Sequence, residues 1–154
     1  MRVTAKVDYA VRAATMLATQ AAGEGGPVKG DRIAKSQSIP VKYLENILSE
    51  LRQAGIIRSQ RGAEGGYWLA RSADTISVAD VIRAVEGPLA HVRGERAENL
   101  DYPEGTGALQ ELWVATRASL RAVLETVTLH DLATGKLPKA VHKLTLDPDA
   151  WEPH

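Results

Sequence analysis

Apolar residues recur at helical spacing along most of this chain. Val7, Val11, Ala14, Leu17 and Ala18 fall on one face of a first helix. Thr4 caps it, and it is expected to end near Ala22, before the loop Gly23-Glu24-Gly25-Gly26-Pro27. Asp31 to Gln37 reads as a short helix with Ile33 and Ala34 turned inward, followed by a tight turn at Ser38-Ile39. Pro40 suits the first turn of a third helix, because its missing N–H costs nothing there. That helix, Pro40 to Ala54, places Leu44, Ile47, Leu48 and Leu51 on one face and Lys42, Glu45, Asn46, Ser49 and Arg52 on the other, with Gly55 as its C-terminal stop.

The spacing then changes. Ile56-Ile57-Arg58 and Tyr67-Trp68-Leu69 read as short strands around a polar glycine-rich tip, which predicts a β-hairpin. Ser77, with Asp80 three residues on, opens a fourth helix whose apolar stripe is Val78, Val81, Ile82 and Val85; Gly87-Pro88 stops it. Residues 88–106 have no periodicity and predict a mobile loop longer than usual connections. A long helix follows from about Ala108 to Val127, with Leu109, Leu112, Trp113, Thr116, Leu120, Val123, Leu124 and Val127 at coiled-coil-like spacing. Thr128, with Asp131, caps a last short helix ending at Gly135, and the proline-punctuated tail 136–154 is expected to be irregular.

Helix, short helix, tight turn, helix and hairpin form the plan of a winged helix-turn-helix. The fold class is therefore mainly α, with a two-stranded wing and a long C-terminal dimerisation helix. The expected division is a DNA-binding domain over 1–87, a flexible loop over 88–106, the dimerisation and final helices over 107–135, and the tail.

Composition narrows the chemistry. There is no cysteine, which removes disulfides and thiolate-held metal or iron–sulfur sites. No apolar run is long enough to span a membrane, and Met1 to Asp8 lacks the pattern of a secretory signal, so a cytoplasmic protein is expected. The formal net charge is zero, but residues 1–71 carry 11 Lys+Arg against 6 Asp+Glu, and residues 72–154 carry 8 against 13. A basic half beside an acidic half fits one surface for a polyanion and another for something else, although so modest an asymmetry also arises by chance.

The polar face of the third helix carries groups that read DNA. Asn46 matches the edge of adenine, Lys42 a phosphate, and Tyr43 and Ser49 can donate to either. Ser38 and Arg52 flank them. At the hairpin tip Arg61 stands among Gly62, Gly65 and Gly66, residues that allow a backbone to approach a phosphate closely, and an arginine so placed can enter a narrow minor groove. Each feature has a plainer reading, an ordinary solvated helix face and a flexible hairpin. His91, Glu95, Glu98 and Asp101 in the loop read as solvated side chains rather than a metal site. There is no catalytic triad, phosphate-cradling loop or dinucleotide fingerprint, so an enzyme is not expected.

The sequence resembles the IscR/NsrR-type family of small bacterial winged-helix repressors. The matching pieces include Tyr9-Ala10-Val11-Arg12-Ala13, Ile39-Pro40, Tyr43-Leu44-Glu45-Asn46-Ile47-Leu48, Ser59-Gln60-Arg61-Gly62, Gly65-Gly66-Tyr67 and Thr128-Leu129-His130-Asp131-Leu132. The resemblance runs from residue 1 to about 135 and is most specific from Tyr43 to Arg71. It implies that Lys42, Tyr43 and Asn46 face the major groove, that Arg61 is the wing's minor-groove arginine, and that the long helix crosses its copy in a two-fold dimer. Leu109, Leu112, Trp113, Thr116, Leu120, Leu124 and Val127 would form that dimer face, unless the stripe packs on its own chain. Many members hold an iron–sulfur cluster through three cysteines in the loop that here is 88–106, and in nitric-oxide-sensing relatives a first-helix carboxylate, matched by Asp8, completes it. With no cysteine, no cluster, no metal and no other cofactor are expected. The expected partners are operator DNA, a second copy of the chain and a small-molecule effector bound near Trp113 or beneath the loop. The alternative is a protein-interaction module acting through the acidic C-terminal half and Trp151.

Overall fold

The computed structural model describes residues 2–153. Helix α1 spans Ala5–Ala22, with the Thr4 hydroxyl accepting from the Val7 amide at 3.2 Å. Helix α2 spans Gly30–Gln37 and α3 spans Val41–Gln53. The hairpin follows as β1, Ile57–Gln60, and β2, Gly66–Leu69, antiparallel with Ile57 opposite Leu69 and Gln60 opposite Gly66. Helix α4 spans Val78–Glu86, α5 Ala108–Leu124, α6 Leu129–Thr134 and α7 Lys139–Lys143. The result is the mainly helical fold with a two-stranded wing that the pattern predicts.

One core joins α1–α4, the wing and α6. Ala10, Ala13, Ala14 and Leu17 of α1 meet Ile33 of α2, the inner face of α3, Ile57 and Leu69 of the wing, Val81 of α4 and Leu129 of α6. Alanine at four buried α1 positions, 10, 13, 14 and 18, lets the neighbouring helices approach closely, which suits a chain with no phenylalanine. Both reciprocal caps form: Ser77 with Asp80 at α4, and Thr128 with Asp131 at α6. Each satisfies two backbone donors that a helix start leaves open.

Several expectations need correction. Pro40 is the N-cap of α3 and not part of its first turn, because its ψ of 129° is extended. Ile56 lies outside the strands: its amide closes the end of α3 on Leu51 O at 2.9 Å, and β1 starts one residue later. The loop 88–106 is not featureless. Leu89, Ala97 and Leu100 are buried, Val92 and Glu95 pair through their backbones, and Ala97–Asn99 form a 3-10 turn. Gln110 of α5 donates to Glu98 O at 3.2 Å and Leu100 O at 3.0 Å, while Arg117 pairs with Glu98 at 2.6 Å. The tail is not irregular either. It folds as α7 and a 3-10 turn, Pro148–Trp151, and the Trp151 indole N–H donates to Thr145 O at 2.8 Å.

The stripe of α5 divides. Val127 lies past the end of the helix and is buried with Val78 and Val141, with Val123 and Leu124 packed against them, so Val127 belongs to the chain's own core. Leu109, Trp113, Thr116, Leu120 and Leu124 are only partly covered, and Leu112 is 52% exposed. No residue of α5 is buried.

Candidate nucleic-acid interface

Helix α3 is held from within. Leu44, Ile47, Leu48 and Leu51 are each 1% exposed or less, so its rotation about its own axis is fixed. Lys42, Tyr43, Glu45, Asn46 and Arg52 point outward, and Ser49 is half-buried. Lys42, Glu45, Asn46 and Ser49 stand three, four and seven residues apart and form one row.

Polar contacts fix its tilt. The Tyr43 ring meets Tyr9 of α1 edge to face, with centroids 5.6 Å apart at 88°. Arg12 lies 5.5 Å from the Tyr9 ring, pairs with Asp8 at 3.0 Å and donates to the Gln37 carbonyl at the end of α2. Asp8 is therefore engaged within its own helix. At the far end of α3, Lys6 donates to Glu50 at 2.9 Å and to Val85 O at 2.7 Å, tying α3 to α1 and α4. Ser38 takes a left-handed conformation with φ of 54°, which turns the chain from α2 into α3.

The wing is built differently from the expectation. Gly65 and Gly66 are buried and do not lie open to a phosphate. A Cβ on Gly65 would meet Gln60 O at 2.1 Å, and one on Gly66 would meet the Val28 carbonyl at 2.7 Å. That close approach lets Val28 and Tyr67 exchange two hydrogen bonds of 2.8 Å, docking the wing on the body. Only Gly62 faces open space, with φ of 103°. Lys29 donates to the Gly62 carbonyl at 2.6 Å and braces the tip. Arg61 is exposed and has no hydrogen bond or ion pair among the described residues. Arg52 reaches from α3 to Ser59 Oγ of the wing at 3.1 Å, so it joins the two elements.

Sequence reasoning left out three positions here. Glu45 lies in the same row as Lys42 and Asn46 and can accept from cytosine; its spacing was the signal. Val41, 49% exposed at the start of α3, offers a surface to a thymine methyl. Lys29 carries no sequence signal for its bracing role, which depends on a residue 33 positions away.

The profile of the Rrf2 family, described as an iron-dependent transcriptional regulator, matches residues 3–135. The chain belongs to the Rrf2 family. Rv1287 of Mycobacterium tuberculosis, a helix-turn-helix regulator by name, is 49% identical over 152 residues, covering 99% of this chain and 93% of the relative. CymR of Bacillus subtilis is 38% identical over 134 residues, covering 87% of this chain and 91% of CymR. The solved structure of that CymR, the global cysteine regulator, superposes with a TM-score of 0.74 at 34% identity, over 88% of this chain and 98% of that one. That of T. potens IscR superposes at 0.68 and 32%, over 99% and 97%. The chain is thus a DNA-binding transcription regulator of the winged-helix type, and its relatives are regulators rather than enzymes.

The family description raises iron, and the residues present do not fit it. The chain has no thiolate to hold a cluster. Of the four candidate ligands, Glu98 is engaged by Arg117, and among the described residues no three His, Asp or Glu side chains gather closely enough to hold an ion. The Glu98 carboxyl is held below its usual range first by a hydrogen bond from its own backbone and then by Arg117. No helix among the described residues is long and apolar enough to cross a membrane.

Proposed function

We propose that this regulator is a homodimeric repressor that reads an operator of two half-sites. Helix α3 enters the major groove, where Asn46 and Glu45 read base edges. Lys42, Tyr43, Ser49 and the turn at Ser38 meet phosphates, and Arg52 sets the wing against the helix. Arg61 lies in the flanking minor groove, with Gly62 giving the tip its shape. Two copies of α3 stand about 34 Å apart, one turn of DNA, and binding blocks the promoter. One observation carries this reading: the outer face of α3 is polar, exposed and rigidly presented, and Asn46, Glu45 and Lys42 make no ion pair or side-chain hydrogen bond among the described residues.

The second copy covers α5, whose stripe is only partly covered by its own chain. An effector binds in the cleft beneath the loop, about 350 Å³, walled by Val7, Ile82, Leu89, Leu120 and Leu124. That cleft lies between α1 and α4 of the DNA-reading half and α5. A ligand there shifts the recognition helices only if it binds the two arrangements unequally.

Mapping bound DNA across the source genome supplies the operator, and anisotropy titrations on it test the reading. Operator affinity unchanged in Asn46→Ala, Lys42→Ala and Arg61→Ala together would refute this docking. A protein-interaction module is the second reading, favoured by the exposed Leu144, Leu146 and Trp151. Removing residues 136–154 separates the two, since a pure DNA binder should keep its operator affinity without the tail.

A further inference from the structure

The outer side of the wing carries an aromatic ring and a guanidinium that no contact within the chain uses. Trp68 of β2 stands directly opposite Arg58 of β1, so both side chains leave the hairpin on one face. The next pair, Ile57 and Leu69, turns into the core. Trp68 is half-buried and Arg58 is exposed. Neither makes a side-chain hydrogen bond, ion pair or ring contact among the described residues. Of the side chains placed on DNA above, only Arg52 borders this face, and it is tied to Ser59.

Two hollows meet here, and Trp68 and Arg71 line both. The larger, about 670 Å³, runs from the wing to the end of α1 and to His130 of α6. Its apolar walls include Leu17, Ala18 and Ala21 of α1, Leu69 of β2 and Ala73. Side chains this small leave room for a flat ring beside the indole, in a hollow of the size that takes small organic ligands. The smaller hollow, about 620 Å³, is lined by Arg52, Arg58 and Arg71 and by no acid. Arg71 donates to Thr75 O at 2.9 Å and lies 3.5 Å from Asp80, which also neighbours Arg83 and caps α4. Arg52 and Arg71 are thus partly engaged and Arg58 is free, which suits one negative charge rather than several. Glu64 lines the larger hollow, so an anionic group belongs on the Arg58 side and an uncharged ring on the other.

We propose that the two hollows form one binding site for a small aromatic carboxylate. Its ring lies against Trp68 in the larger hollow, and its carboxylate meets Arg58 and Arg71, whose planar forks match a carboxylate. The site shares no residue with the cleft beneath the loop and lies within a single chain, so it stands apart from both the dimer and the effector reading above.

The test is calorimetric titration of the full chain with 2-naphthoate, beside its neutral counterpart 2-naphthamide. Arg58→Gln removes the free charge and Ala21→Leu narrows the larger hollow. Both positions are exposed, and a thermal melt of each variant checks that the fold is kept. The unaltered chain should take up one 2-naphthoate per chain. Each substitution should weaken that binding about five-fold or more, as expected for the loss of one charged contact or of part of the apolar wall. The amide should bind less well and should not respond to Arg58→Gln. No saturable binding of 2-naphthoate at millimolar concentration would overturn the proposal. So would binding that ignores both substitutions, which places the probe elsewhere on the chain. Loss in only one variant would also overturn it, because the two hollows would then not act as one site. Duplex DNA is titrated in parallel: an Arg58→Gln chain that loses DNA affinity and keeps 2-naphthoate would give this guanidinium to a phosphate instead.

Discussion

Helices α3 and α5 are both amphipathic, yet they complete their burial by different routes. Helix α3 sinks four aliphatic side chains to 1% exposure or less and is tied at both ends by Tyr43 and Glu50. Helix α5, four residues longer, buries none, and its polar links run to its own loop and to α4 through Glu125, which Arg83 and Arg121 both engage. The first is finished within one chain, while the second leaves apolar surface for another. Under the proposed function, reading DNA needs a face whose angle is fixed before the duplex arrives, and taking a second copy and an effector needs a face whose cover can change.

The comparison breaks most sharply in the core. Leu51→Ala should cost about 2–5 kcal/mol of stability, read by denaturant titration, because a fully buried leucine leaves a cavity. Leu112→Ala should leave monomer stability almost untouched and weaken only dimerisation; equal losses from the two would abolish the contrast. Gly66→Ala comes next, at about 1–3 kcal/mol, since its Cβ must push against the Val28 backbone. Hydrogen exchange should show the wing amides opening first.

On the DNA-reading side, Asn46→Ala should cost about 1–3 kcal/mol on the operator and relax the choice of base at one position, measured on a panel of single-base variants. Lys42→Ala should weaken binding to all sequences and lower the salt slope by about one, measured by anisotropy across ionic strengths. The smallest effect belongs to Glu125. Its carboxyl is held below the usual range first by Arg121 and then by Arg83. A lowered carboxylate contributes stability above the ordinary carboxylate range and loses it as pH falls through its own lowered value. Glu125→Gln should therefore slightly flatten the acid limb of the stability curve, and only at low salt, because the group is exposed.

The parts legible in the sequence were those governed by near neighbours. Thr4, Ser77 with Asp80 and Thr128 with Asp131 announce helix starts through contacts three residues long, and all three caps form. The inner face of α3 follows from spacing alone. What escaped depends on distant partners. The need for glycine at 66 comes from Val28, and the burial of Val127 from Val78 and Val141. Helix α7 has five residues, too few for a periodic signal, and is held by Pro138 at its start and Val141 in the core. Leu89, Ala97 and Leu100 are buried without any regular spacing, so the loop's anchoring could not be read from pattern.

The contacts of Arg12 carry a consequence for how such a regulator can change. The bend between α2 and α3 is braced from α1, where one guanidinium grips the Gln37 carbonyl and, through Tyr9, backs the ring of Tyr43. The aim of α3 is thus set by a strut outside the bend itself. New base preferences can be written on the outer face of α3 without re-aiming it, so long as that strut is kept.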